Sequence, residues 1–208
     1  ADYPFEDTTN LLRVSQYFEV MLGDGPLYQE LHDVFDADYA PTPVHRLLAQ
    51  LPAMIRARVS AKPCRFPLIV TPNYDDALEQ AFREAGEPYD LVVYLAEDPD
   101  RGRFLHSSPD GQSRVIPVPN TYNELRFDER PVIAKIHGAV GRGVEQRDSF
   151  VITENDYIDY LRYTDLAQLI PATVVSRMKR SHFLFLGYRL QDWNLRVILH
   201  RIWGEQKF

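Results

Sequence analysis

Residues 68–76 have the sequence LIVTPNYDD, a short apolar run that stops at a polar segment. Two further apolar runs end in the same way: residues 132–138 are VIAKIHG, and residues 183–194 are FLFLGYRLQDWN. Each run has the composition of a strand buried in a parallel sheet, and ligands bind at the carboxyl ends of such strands. We therefore expect the polar and glycine residues that end the three runs to face one crevice.

The rest of the sequence predicts an α/β fold. Before residue 67, apolar residues recur at helical spacing, and after it strand-like runs alternate with helical segments. This alternation implies a Rossmann-like parallel sheet flanked by helices, with a helical N-terminal portion. The predicted strands are 68–71, 91–95, 114–118, 132–136, 150–153 and 182–186, and residues 97–130 are otherwise read as turns. Three helices are predicted in the N-terminal portion: one capped by Thr8 or Thr9, one after Pro26, and one over 44–58. Pro52 should kink or divide the third of these. Four further helices are predicted over 75–85, 154–163, 166–179 and 193–203.

Length and composition bound the class of protein. The chain has 208 residues, of which 45% are hydrophobic, and this is enough for one domain spanning residues 1–208. The net charge of -7 argues against non-specific nucleic-acid binding, which requires a basic surface. No apolar run approaches the ~20 residues of a transmembrane helix, and no signal peptide opens the chain. We expect a cytoplasmic protein with neither nucleic acid nor membrane as a direct partner.

The two ends of the sequence suggest that the domain belongs to a longer protein. The chain begins at Ala1 without an initiator methionine, and it ends at Phe208, just past a predicted helix. We expect an upstream piece to be missing and the domain to be one module of a larger chain.

Cysteine and histidine usage argues against a metal site. Cys64 is the single cysteine, which excludes an internal disulfide and a zinc site built from four thiolates. The histidines show no carboxylate or cysteine spacing suited to a metal. His106, in the irregular stretch, is expected to be a surface-loop histidine, with a part in a lid over the site as the alternative. We predict no bound metal.

The polar segment after residue 70 admits two interpretations. Asn73 and Asp75 lie between a strand and a helix, where an asparagine stabilises turns and an aspartate caps helices. The same position, at the exit of a buried strand, is where an amide and a carboxylate would contact a ligand. These residues alone leave the two interpretations evenly balanced.

His137 gives the sharper functional signal. A histidine directly after an apolar strand places an imidazole at the edge of the sheet, and Gly138 lets the backbone pass close to a ligand. With Asn73 upstream, this position favours a catalytic histidine over a structural one.

Together and in this order, the three segments resemble the sirtuin-like family of bacterial NAD-consuming domains, in the divergent branch that lacks zinc. The resemblance implies that Asn73, Asp75 and His137 are the catalytic residues around the nicotinamide riboside part of NAD. It further implies a cofactor-binding role for six residues that flank them or end the third run: Thr71, Tyr74, Gly138, Gly187, Tyr188 and Arg189. Residues 153–157, TENDY, are also similar to a run of that family, and here they predict a helix start with Thr153 as N-cap and Asp156 in the first turn.

Two absences distinguish branches of the family. Sirtuin deacylases carry paired cysteines for a zinc ribbon after the His-Gly strand, whereas residues 139–149 contain none, so we predict no zinc ribbon. The Gly-Ala-Gly loop that holds the NAD diphosphate after a first strand is also not found in the sequence. Either residues upstream of Ala1 supply it, or residues 1–208 alone bind NAD poorly.

The resemblance implies an NAD hydrolase that cleaves the nicotinamide–ribose bond as an effector module in bacterial anti-phage defence. NAD is then the substrate, and the expected partners are other domains of a longer chain or an associated sensor protein, with a homo-oligomer as the assembly. Three alternatives stay open: an NAD-dependent protein deacylase, a sensor that binds NAD or ADP-ribose without turnover, and a structural or oligomerisation module. In the catalytic interpretation Asn73 and His137 lie in one cleft within about 10 Å, since adjacent strands are ~4.8 Å apart.

Overall fold

The computed structural model describes residues 8–58, 65–142, 147–162, 170–187 and 200. The described helices are α1 Leu11–Leu22, α2 Asp24–Phe35, α3 Pro43–Arg58, α4 Ala77–Glu84, α5 Glu154–Arg162 and α6 Ala172–Lys179. The described strands are β1 Leu68–Thr71, β2 Asp90–Leu95, β3 Arg103–Ser107, β4 Ser113–Val115, β5 Val132–Lys135, β6 Gly138–Ala139 and β7 Ser149–Phe150.

Five strands form one sheet in the order β1-β5-β2-β3-β4. The first three run parallel to one another, and helices flank the sheet, as the Rossmann-like prediction requires. The sheet is mixed, because β3 and β4 are antiparallel to their neighbours. The strand β3 was missed because residues 97–130 are rich in turn-forming residues, and a tight turn at Gly111 joins two short strands there.

The strand β5 is buried on both faces and organises the core. Ile133 packs with Leu78 and Phe82 of α4 on one face. Val132 packs on the other face in a larger cluster that includes Val174 of α6. Successive side chains of a strand point to opposite faces, so a strand covered on both sides must be apolar throughout. This explains why β5 appears in the sequence as an uninterrupted apolar run with one exception, Lys135.

The N-terminal portion is helical, as predicted. Asn10, and not Thr8 or Thr9, caps α1, since its side-chain oxygen accepts the Arg13 amide at 3.3 Å. Pro52 lies inside α3 without dividing it. No helix among the described residues combines the length and apolar character that crossing a membrane requires.

Two predicted elements near the end of the chain were wrong. In the helix predicted over 166–179, residues 170 and 171 are not helical and α6 begins at Ala172, because Pro171 has an extended ψ of 131°. Residues 166–169 lie outside the described residues. The strand predicted over 182–186 is not a strand: the described residues include no partner ladder for it, and Leu184 is 81% exposed. The predicted helix over 193–203 lies outside the described residues, apart from the helical His200.

Candidate active site

Strands β1 and β5 bring two of the predicted site residues to the same edge of the sheet. The two strands are parallel neighbours, and Thr71 is in register with Lys135. Asn73 and His137 each follow two residues later, so both leave the sheet at the carboxyl end of adjacent strands. This edge is where ligands bind in open α/β sheets.

The segment 72–76 forms a fixed turn between β1 and α4. The amide of Asn73 donates to the hydroxyl of Thr71 at 3.1 Å, while its side chain is exposed. The carboxylate of Asp75 accepts the Ala77 amide at 3.0 Å and so caps the first turn of α4. Asp75 therefore has the capping contact that its local sequence predicted, at a position that also borders the cleft described below.

Tyr74 holds this turn against the neighbouring segment. Its ring packs on Phe35 and Phe150, with ring centroids 4.9 and 5.2 Å away. Its hydroxyl donates to the carbonyl of Val151 at 2.7 Å. The amide of Val151 in turn donates to the carbonyl of His137 at 2.9 Å, so one short segment connects the two motifs.

The imidazole of His137 is enclosed by aromatic side chains. It is only 3% exposed, and its ring meets Tyr157 and Tyr160 edge-on, at centroid distances of 5.4 and 6.2 Å. Both tyrosines belong to α5. Complete burial of Tyr160 raises the pKa of its phenol, so that ring is neutral at physiological pH. The histidine thus lies in a low-polarity wall at the end of β5, with its orientation set by two rings.

A cleft of about 580 Å³ follows the edge of β1 and ends at the first motif. Thr71, Asn73, Asp75 and Gly187 all border it, so the first and third sequence segments do meet. Its volume lies in the range of small-molecule sites. His137, Gly138 and Tyr74 are not among its lining residues, and Tyr188 and Arg189 lie outside the described residues.

A family comparison matches most of this chain. The family model described as "SIR2-like domain" covers residues 67–207, which include the sheet and all three motifs. The chain belongs to the SIR2-like domain family. The match begins just before β1, so the helices α1 to α3 precede the part that defines the family.

Two curated relatives align with nearly the whole chain. An NAD(+) hydrolase ThsA from Acinetobacter baumannii is 26% identical over 196 residues, which are 93% of this chain and 31% of that protein. Defense-associated sirtuin 2 from Bacillus subtilis is 25% identical over 198 residues, 94% of this chain and 15% of that protein. The chain therefore spans less than a third of the length of either relative.

Metal ligands are not grouped in the described part of this SIR2-like domain. No set of three or more histidine, cysteine, aspartate or glutamate side chains there could hold an ion. Cys64 lies outside the described residues.

The sequence interpretation missed two features of the site and misplaced a third residue. It did not identify Lys135, which is 1% exposed beside the first motif, or Tyr157, which contacts His137. The lysine inside an apolar strand was the available signal, since a buried lysine requires a partner. His106 is neither in a surface loop nor in a lid: it lies in β3, 3% exposed, with Nε2 3.0 Å from Asp90.

Proposed function

We propose that this domain hydrolyses NAD at the nicotinamide–ribose bond. We further propose that it does so in the cytoplasm as an effector module of a longer bacterial anti-phage defence protein. The observation that supports the proposal is the register of β1 and β5: Asn73 and His137 each follow the end of one of these neighbouring strands, and Asn73 borders the cleft. The names of the two relatives, an NAD(+) hydrolase and a defence-associated sirtuin, support the reaction and its setting.

The reaction requires little covalent chemistry from the protein. The C1′–N bond breaks and its electron pair returns to the nicotinamide ring, which neutralises the pyridinium. The ribose carbon takes on oxocarbenium character, and water adds to C1′ and loses a proton, giving ADP-ribose. The protein must hold the leaving amide, surround the cationic ribose and accept the proton.

In this proposal the motif residues divide these tasks. Asn73, exposed at the cleft, orients the nicotinamide or the attacking water through its amide. Asp75 helps to fix the carboxamide group. His137 acts as base through a ribose hydroxyl, and the rings of Tyr157 and Tyr160 hold its imidazole in place.

Nicotinamide release from NAD by the intact protein, with any activator it requires, tests the proposal. We expect His137→Ala and Asn73→Ala to lower the turnover rate by about 10²–10⁴-fold, the usual cost of losing a positioned base or polar group. Nicotinamide and ADP-ribose are quantified together by chromatography, so that transfer to another acceptor is distinguished from hydrolysis.

His106→Asn is the matched control for His137→Ala. Both histidines are 3% exposed, so both variants disturb a buried site, but His106 lies in β3, which β2 separates from β5, and its imidazole contacts Asp90. Turnover per folded molecule should stay within about twofold of wild type in this control. NAD hydrolysis at the wild-type rate by both motif variants would refute the mechanism. NAD binding without nicotinamide release would favour a sensor.

A further inference from the structure

The side chain of Lys135 is buried at the end of β5, and its ammonium group donates hydrogen bonds to the 72–76 turn and to the first turn of α4. Its Nζ donates to the carbonyl of Tyr74 at 3.2 Å, to the carbonyl of Asp75, and to Glu79 Oε1 at 2.8 Å. An ammonium group has three protons and no acceptor, so these three bonds use its full capacity. Two of the three acceptors are backbone carbonyls in the turn that carries Asn73.

Glu79 supplies the charge that balances this ammonium. It lies in the first turn of α4 and is 3% exposed, so both members of the ion pair are removed from water. Burying such a pair costs desolvation energy that a well-packed apolar pair would not. A buried ion pair therefore contributes little to stability by itself. We consider instead which groups the pair holds in position.

The geometry links both proposed catalytic groups through one residue. Lys135 is the last residue of β5 and precedes His137 by two residues, and it binds the two carbonyls that follow Asn73. The Tyr74 carbonyl also accepts the Val140 amide, at 3.0 Å, from the segment beyond His137. The place of Asn73 relative to the end of β5 is consequently fixed by hydrogen bonds from β5 and the residues that follow it.

We propose that Lys135 is a positioning residue of the active site, whose ammonium, paired with Glu79, fixes the 72–76 turn so that Asn73 is correctly placed relative to His137. Nothing in the sequence motifs assigns this role. The inference rests on the proposed function for its catalytic consequence, but its structural part can be tested without any activity.

The chain offers a closely matched control at the opposite end of the same strand. Arg130 precedes β5 by two residues, and its Nε lies 3.0 Å from the fully buried carboxylate of Asp90. Asp90 is in register with Val132, the first residue of β5, whereas Lys135 is the last. Lys135→Met and Arg130→Met each remove a cation from a buried carboxylate, and only the first removal is at the motif end.

A double-mutant cycle on the intact protein separates positioning from general destabilisation. Lys135→Met should lower kcat for nicotinamide release by about 10²-fold in the wild-type background, the cost of a small misplacement. In an Asn73→Ala background the same change should lower kcat by less than about twofold, because the residue to be positioned is gone. Arg130→Met should have the same small effect in both backgrounds.

Hydrogen exchange gives the second measurement, independent of catalysis. Lys135→Met should raise the exchange rates of the Ala77 and Val140 amides, which bond to Asp75 and Tyr74, by about tenfold. Arg130→Met should leave these two amides unchanged and instead affect the Asp90 amide, which bonds to Pro131. If Lys135→Met does not fold, Lys135→Arg, which keeps the cation but displaces its donors, replaces it in both measurements.

The outcomes are distinct. An equal loss of kcat in both backgrounds, or unchanged exchange at Ala77 and Val140, overturns the positioning role. If the wild-type protein releases no nicotinamide, the proposed function fails, and the exchange measurement alone decides whether Lys135 fixes the turn.

Discussion

At the scale of single residues, Gly138 shows why the sequence after His137 is constrained. Its φ is +93°, and a Cβ atom there would lie 1.9 Å from the carbonyl oxygen of Ser149. Ser149 is held in position, because its hydroxyl donates to the Tyr94 carbonyl at 2.7 Å and accepts a hydrogen bond from the Ala96 amide at 2.9 Å. The glycine thus allows β6 to pair with β7 directly beside the histidine.

Replacing Gly138 by alanine should be far more damaging than the same change at Gly86. Gly86 also has a positive φ, +66°, but no atom lies within 4 Å of its Cβ position. Gly86→Ala should therefore cost only the conformational penalty of about 1–2 kcal/mol. Gly138→Ala adds the overlap with Ser149, about 1–3 kcal/mol more. Urea denaturation of the two variants compares these costs, and equal midpoints would show that the contact with Ser149 is not rigid.

Single residues also show what the sequence could and could not predict. Asn73 and His137 could be chosen because each follows a recognisable apolar strand by two residues. The pairing of Lys135 with Glu79 could not, because the partners are 56 residues apart and only the packing of α4 on β5 brings them together. Gly138 was assigned to ligand approach, whereas the contact visible in the fold is with Ser149.

At the scale of elements, α2 is attached to the segment that follows β6 by an ion pair. His32 Nδ1 lies 2.9 Å from Asp148, which also accepts the Gly141 amide at 2.8 Å. The Asp148 carboxylate raises the pKa of His32 above its ordinary value, mainly through this hydrogen bond. Asp36, one turn later in the sequence, is 3.8 Å from the other ring nitrogen.

The stability that this pair contributes should depend on pH. Because the pKa of His32 is raised on folding, the contribution is fully present below about pH 6.5 and is lost as the pH rises through the raised value. The pair is partly exposed, so the Tm of wild type should exceed that of His32→Gln by only about 1–3 °C at pH 6. The difference should shrink at higher pH, as followed by thermal melts from pH 5.5 to 9. His45→Gln, which removes a histidine with no carboxylate contact among the described residues, serves as the control, and a difference that grows with pH would contradict the assignment.

The elements that sequence reasoning predicted well are those with their own local signals. The start of α5 is one: the Thr153 hydroxyl accepts the Asp156 amide at 3.1 Å and the Asp156 carboxylate accepts the Thr153 amide at 3.0 Å, a reciprocal cap. The segment 182–186 is the opposite case. Its apolar composition predicted a strand, but a strand exists only where a neighbour pairs with it, and composition does not report pairing.

At the scale of the whole molecule, the sequence predicted the parallel part of the sheet but not the order of its strands. β5, which ends two residues before His137, lies between β1 and β2 although it comes last of these three parallel strands in the chain. Periodicity reports which residues are buried and says nothing about which strands are neighbours. The position of β5 beside β1 is nevertheless what puts the strand end before His137 next to the strand end before Asn73.

The assembly of the protein remains a proposal at this scale. The chain spans 31% of one relative and 15% of another, which supports the proposal that it works as one domain among others. Helix α1 leaves large apolar side chains exposed, among them Leu11 and Val20, and these are where the proposed homo-oligomer or a neighbouring domain would pack.

The most direct test of the central claim is a crystal structure of the intact protein, carrying His137→Ala to prevent turnover, in complex with NAD. We expect the nicotinamide riboside end of NAD in the cleft bordered by Thr71, Asn73 and Asp75, with the Asn73 amide in hydrogen-bond contact. The C1′–N bond should lie between Asn73 and residue 137, whose Cα atoms should be within about 10 Å of each other. NAD bound elsewhere, or a riboside that contacts neither Asn73 nor the end of β5, would contradict the account.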